Sequence, residues 1–190
     1  MHAIVSLLDD ASAQGVRALW AELEREHGLG EVARIVPYPH VSYHLAEDYD
    51  LVRIGEAMGR VAERTAPFTA RIAGLGAFRA FEPVLYLAVE RNPALDALHA
   101  AIWSEVAAER VEVIAREPSP LYEGATWVPH ATLAQLDLTP EALDALLAAW
   151  SLRDFRRDVY VSDLAVLYRR PGEAAYRPIE RRVLSGAGGR

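Results

Sequence analysis

Apolar residues in this chain switch between two spacings, and the switches divide it into elements. Residues 2–8 alternate weakly and read as a strand. Asp9, Asp10 and Ser12 then supply N-cap candidates for a helix through about His27, which Gly28 and Gly30 close. Val16, Leu19, Trp20 and Leu23 form its apolar stripe. Residues 32–45 read as a strand interrupted by Pro37 and Pro39, which suggests an edge position or a bulge at its start. A second helix is predicted over residues 50–65, with Leu51, Ile54, Met58 and Val61 inward, followed by a strand over 68–77.

The pattern then restarts. Residues 84–90 form a strong strand, and Asn92-Pro93 opens a helix to about Glu109 that buries Leu95, Leu98, Ile102 and Val106. Residues 111–115 are a further strand candidate, and 116–127, with Pro118, Pro120 and Gly124, the longest irregular stretch. Thr139-Pro140-Glu141 opens a fourth helix with Leu143, Leu146, Leu147 and Trp150 inward. Residues 158–169 alternate as one strand, Pro171-Gly172 turns the chain, and 176–184 form the last strand. Two rounds of strand, helix, strand, helix and strand predict an α+β fold. Two antiparallel-rich sheets line a central cleft with helices outside, in a single domain of two structural halves, about 1–80 and 81–185, with 186–190 as a flexible tail.

One short motif occurs in both halves. Pro39-His40-Val41-Ser42 returns ninety residues later as Pro129-His130-Ala131-Thr132. Strand alternation puts His40, Ser42 and His44 on one face and Val41, Tyr43 and Leu45 on the other; His130 and Thr132 share a face in the second copy. Ser plus Thr make up roughly one residue in eight of average proteins, so about one of six histidines would match His-x-Ser/Thr by chance. The preceding proline, the strand context and the matching positions in the two halves lift the pair above that expectation.

Composition narrows the chemistry. The chain has no cysteine, which excludes disulfides, thiol nucleophiles and cysteine metal sites, and a cytoplasmic location is expected. No apolar run approaches membrane-spanning length, and the N-terminus reads as a strand rather than a secretion signal. A net charge of −7 argues against general coating of nucleic acid. Residues 151–190 nevertheless hold nine Arg against five acids, and every basic residue is Arg.

The paired motifs resemble those of the 2H phosphoesterase superfamily, named for two His-x-Thr/Ser motifs, which includes bacterial RNA 2′,3′-cyclic phosphodiesterases also known as 2′-5′ RNA ligases. The residue-by-residue match is His40-Val41-Ser42 and His130-Ala131-Thr132, with Ser42 where many members have Thr. The resemblance implies a bilobed fold with a central cleft and metal-independent cleavage of a phosphodiester, without a cofactor. The implied partner is RNA with a 2′,3′-cyclic phosphate end, or a small cyclic nucleotide. Reversible 2′-5′ ligation belongs to the same chemistry.

The residue types suit that reaction. One imidazole can activate the attacking oxygen while the other protonates the leaving oxygen, and Ser42 and Thr132 can hold the phosphate. Weaker candidates for substrate contact are His44, beside His40, and the aromatics Tyr38, Tyr122 and Trp127, which could stack on a base. Arg169 could reach a phosphate. Tyr43 is expected in the core, and His2, His27 and His99 read as structural. A monomer is expected. Two alternatives remain: a non-catalytic RNA or nucleotide-binding module, and a zinc-dependent hydrolase using His40, His44 and His130.

Overall fold

The computed structural model describes residues 1–108 and 114–187. In chain order the elements are β1 (His2–Leu7), α1 (Asp10–His27), α2 (Glu31–Ile35), β2 (His40–Ala46), β3 (Asp48–Tyr49), α3 (Leu51–Arg64), β4 (Phe68–Phe78), β5 (Val84–Glu90) and α4 (Pro93–Ala108). They continue with β6 (Ala115–Arg116), two 3-10 turns (Pro120–Tyr122 and Gly124–Thr126), β7 (His130–Ala134), α5 (Pro140–Ala149), β8 (Arg157–Val161), β9 (Asp163–Tyr168) and β10 (Arg177–Val183). Most of the strand expected over residues 111–115 lies outside the described residues. Its last residue, Ala115, begins β6.

Side-chain caps fix three helix starts, at Asp9 and Thr139, which the sequence marks, and at Asp50, the first residue of the expected second helix. The Asp9 carboxylate accepts from the Ser12 N–H, Asp50 accepts from Val52 and Arg53, and Thr139 accepts from Ala142. Gly28, at φ +70°, ends α1 in the left-handed conformation that glycine adopts without penalty.

Two antiparallel four-stranded sheets run in the orders β10-β9-β1-β2 and β7-β5-β4-β8, and β3 pairs with β6. The sheets do not divide at residue 80. β4 lies in the second sheet, and β9 and β10 complete the first. One apolar core joins everything, from Ile4 and Trp20 through Tyr43 and Met58 to Leu98 and Leu143. Burying each large aliphatic side chain in such a core contributes about 1.5–3 kcal/mol. A smaller cluster of Ala3, Val5, Ala165 and Leu167 sits on the opposite face of the first sheet, under Val36, Tyr38 and Tyr176.

Three expectations are corrected. Residues 32–35 are helical, not strand: the Asp137 carboxylate accepts from the N–H groups of Gly30 and Glu31, both at 2.9 Å, and so caps α2 from the other half of the chain. Pro37 and Pro39 then delay the strand to His40. The single strand expected over 158–169 is two strands in different sheets, broken at Ser162. Asp163 fastens the crossing, because its side chain is 3% exposed, accepts from the Leu7 N–H at 3.0 Å and pairs with Arg181 at 2.6 Å. The C-terminal segment, finally, is docked through residue 186. Ser185 N–H donates to Ala62 and Gly186 N–H to Thr65. A Cβ at Gly186 would come within 2.6 Å of the Arg64–Thr65 backbone, so only glycine fits there. The rest of the expected tail, 188–190, lies outside the described residues.

Candidate active site

β2 and β7 are edge strands of their own sheets and lie next to each other. Their motifs are built alike. His40 Nδ1 is 2.6 Å from the Tyr38 carbonyl, and His130 Nδ1 is 2.7 Å from the Val128 carbonyl. A carbonyl only accepts, so both imidazoles carry their proton on Nδ1 and keep Nε2 free as an acceptor. The intervening proline explains the geometry. Pro39 O accepts from Leu8 N–H and Pro129 O from Val89 N–H, which ties the chain to the neighbouring strand while the carbonyl before the proline is left to hold the imidazole.

A second parallel lies three residues past each histidine. The pairing of β1 with β2 shifts between Ile4 and Val5, opposite His44 and Ser42, and the pairing of β5 with β7 shifts between Leu85 and Tyr86, opposite Ala134 and Thr132. Tyr43 and Leu133 are the extra residues of two matching bulges. Each bulge leaves the histidine and the hydroxyl residue half-buried on one face and turns the following residue inward.

That bulge corrects the reading of His44. Simple alternation places it beside His40, yet it is fully buried on the core side of β2, with Nδ1 2.7 Å from the Tyr49 hydroxyl and Nε2 without a partner. Tyr49 in turn donates to the His44 carbonyl. His44 has no surface to offer a substrate, and it cannot converge with His40 and His130 on a metal. Among the described residues no cluster of three His, Asp or Glu side chains is arranged to hold a metal ion.

Three indoles brace the two edge strands. Trp20 Nε1 donates to Thr132 O at 3.2 Å, Trp103 Nε1 to Tyr43 O at 3.0 Å, and Trp127 Nε1 to Ser42 O at 2.9 Å. Trp20 lies on α1 and Trp103 on α4, so each half's first helix holds the other half's histidine strand. Carbonyls on an edge strand have no ladder partner, and these indoles supply one. Trp127, a stacking candidate by its place in the sequence, is instead 1% exposed, stacked on His99 with ring centres 4.0 Å apart, and an element of the framework.

The remaining candidates separate. Tyr122 is half-buried with its ring 6.4 Å from that of His130, and its carbonyl is 2.6 Å from His99 Nε2. Tyr38 holds His40 through its carbonyl while its ring packs on the small apolar cluster. Arg169 lies elsewhere, above the Tyr176 ring in a cleft shared with His2, Arg116 and Arg170. His130 also meets Phe78 edge-on at 5.1 Å and Tyr86 at 5.0 Å. Neither Phe78 nor Tyr86 is legible as a site residue from spacing alone. One signal is Gly76, where a Cβ would lie 2.3 Å from the Tyr86 ring, so the missing side chain makes room for that ring. A pocket of about 500 Å³ opens beside His130 and Thr132. His40 is not among its lining residues.

Electrostatics distinguish the two imidazoles. Burial pushes His40 down to about 4, and the His130 charge beyond it acts in the same direction, so the two rings are within electrostatic reach. Burial lowers His130 as well, against the opposing pull of the Val128 carbonyl. Neither the Ser42 nor the Thr132 hydroxyl has a hydrogen-bond partner among the described residues.

A duplicated α+β fold in which each half presents a His-x-Ser/Thr strand, built to one local plan, to a shared cleft defines a two-histidine class of protein. The chain belongs to the 2′-5′ RNA ligase superfamily, whose family model matches residues 8–173. Two Bacillus cereus proteins, from strains B4264 and ATCC 14579, are named as candidate phosphoesterases. Each is 27% identical over 138 residues, 71% of this chain and 72% of the relative. Among solved structures, TT0787 of Thermus thermophilus has a TM-score of 0.67 at 17% identity and covers 98% of this chain and 99% of its own. E. coli LigT complexed with 3′-AMP has a TM-score of 0.60 at 17% identity, covering 97% of each chain.

Proposed function

We propose that the protein is a metal-independent phosphodiesterase that opens 2′,3′-cyclic phosphates on RNA ends or small nucleotides. The observation that carries this reading is the matched pair of imidazoles, each with Nδ1 fixed to its own strand and Nε2 free, beside a hydroxyl without a partner. Membership in the 2′-5′ RNA ligase superfamily supports it, as does the 3′-AMP held by the similar fold of E. coli LigT.

In this reading His40 is the general base and His130 the general acid. His40 is the imidazole driven down to about 4 and stays neutral. The negative phosphodiester favours a proton on His130 once it is bound. His40 Nε2 takes a proton from the attacking water as its oxygen bonds to phosphorus. The bond from phosphorus to one ribose oxygen breaks, and His130 Nε2–H protonates that oxygen. Ser42 and Thr132 donate to the non-bridging oxygens, where charge builds in the transition state. A ribose hydroxyl in place of water would run the chemistry toward 2′-5′ joining with the same two groups.

The test is incubation with a short RNA ending in a 2′,3′-cyclic phosphate, in the presence of chelator, with the product identified by phosphorus NMR. Conversion to one monoester, lost in both His40→Ala and His130→Ala, is the expected result. Near-wild-type turnover by both folded variants would overturn the assignment. Tight binding of that RNA with no conversion would favour a binding module.

A further inference from the structure

The cleft is unequal on its two sides. Beside His40, Val36, Tyr38 and Tyr176 pack over Ala3, Val5, Ala165 and Leu167 and close the face of the first sheet. Beside His130 the second sheet is open, and the pocket there has mainly apolar walls, with Phe78, Phe81, Leu121 and Tyr122 among them. Phe81 is 89% exposed and Leu121 61% exposed, on two different connections. Large apolar side chains left open around a pocket are characteristic of a binding site. Only the His130 side therefore has room for the organic part of a nucleotide.

The pocket's far end is polar. Glu82 and Gln135 line it, and their side chains approach at 3.4 Å, the Gln135 amide donating to Oε2. Glu82 makes no ion pair among the described residues, while Arg79, three residues earlier, is held by Asp144 at 2.6 Å. Gln135 directly follows β7, five residues beyond His130 and past the Leu133 bulge, roughly 13 Å along the strand direction. That span holds a nucleoside with its phosphate at His130 and its base toward Glu82. An uncompensated carboxylate in a pocket for an anionic ligand is unfavourable unless the ligand brings donors to it.

An ionised carboxylate only accepts, through two oxygens side by side. Adenine and cytosine each present one amino donor next to a bare ring acceptor, which such a carboxylate repels. Uracil presents a single N–H between two carbonyls. Guanine alone presents two adjacent donors, its ring N–H and its amino group, in the spacing that a carboxylate bridges. The neighbouring Gln135 amide can donate to the guanine carbonyl. We infer that this pocket selects guanine, with Glu82 as the residue that reads the base and Gln135 supporting it. The phosphate position in this inference rests on the phosphoesterase reading; the base selectivity is tested apart from it.

The experiment measures equilibrium binding of the four nucleoside 3′-monophosphates, and separately turnover of the four nucleoside 2′,3′-cyclic phosphates, by wild type and by Glu82→Gln. Glu82 is exposed, so the variant is expected to fold. A bidentate pair at an open pocket is expected to favour guanosine 3′-monophosphate about tenfold over the others, a preference lost in Glu82→Gln. Equal binding of all four, or no binding of any, overturns the inference. A guanine preference that Glu82→Gln leaves intact also overturns it. Guanine-selective binding without turnover of any cyclic phosphate would leave the pocket assigned and refute the reaction; equal turnover of all four with equal binding would do the reverse.

Discussion

The indole N–H of Trp127 donates to the carbonyl of Ser42 across 2.9 Å, so one side chain joins the two histidine motifs. Its own backbone lies one residue before Val128, whose carbonyl orients His130, and Ser42 lies two residues after His40. The two motifs are therefore joined directly by one buried indole, which stacks on His99 and lies beneath the Arg91 guanidinium.

Trp127→Phe is expected to keep the fold and lower kcat by at least about tenfold, because loosened alignment of reacting groups is costly. KM for the cyclic substrate should change much less, since a phenyl ring still fills the 1% exposed position that Trp127 holds in the pocket wall. Stability should fall by about 1–3 kcal/mol from the unpaired carbonyl. Steady-state kinetics and urea denaturation on the same preparation check both figures. Unchanged kcat would mean that the strands hold their spacing without this strut.

The pH dependence of stability has a definite sign. Burial holds His40 and His44 down to about 4 in the folded protein, below the ordinary value near 6.5. The unfolded chain thus binds more protons between those values, and stability present above pH 6.5 is lost as the pH falls toward 4. Roughly 2 kcal/mol per residue should disappear between pH 7 and pH 5. Denaturation at the two pH values measures the loss, and His44→Gln should remove about half of the share carried by this pair.

Catalysis should favour mildly acidic conditions. The free protein needs His40 neutral and His130 protonated, and burial lowers the affinity of His130 for its proton. The kcat/KM for a cyclic phosphate is expected to decline steadily from pH 6 to pH 8.5. A profile that rises through that range would exclude this pair as the acid and base.

Asp163 anchors the passage between the sheets. Asp163→Ala leaves the Leu7 N–H without its acceptor and the Arg181 guanidinium, 62% exposed, to water, and should cost about 1–3 kcal/mol. Asp163→Asn keeps an acceptor for Leu7 and should cost clearly less. Urea midpoints of the two variants, ordered Ala below Asn below wild type, are the expected result.

Much of the chain was legible because local rules act over a few residues. Caps at Asp9, Asn92 and Thr139, the Gly28 stop and the apolar stripes set the four long helices within a residue or two. The repeated Pro-His-x-Ser/Thr likewise identified the two strands that face one cleft. Alternation also predicted the shared face of His40 with Ser42, and of His130 with Thr132. It failed two residues later, at His44, because a bulge depends on the neighbouring strand and has no mark in the strand's own pattern.

Tertiary structure alone decided the rest, and in each case the deciding partner is far along the chain. Asp137 caps a helix more than one hundred residues away, and Asp163 redirects what reads as one continuous strand. Trp127, open to stacking by its place in a Pro/Gly segment, became a strut when Ser42 came within reach. The inequality of the two cleft sides is likewise absent from a motif that repeats almost unchanged. It arises from what packs over each sheet: Val36, Tyr38 and Tyr176 on one, and an open pocket ending at Glu82 on the other. Short-range propensity and periodicity are properties of the sequence itself; which side chains satisfy a buried carbonyl, or fill one half of a cleft, depends on long-range packing that only the folded chain establishes.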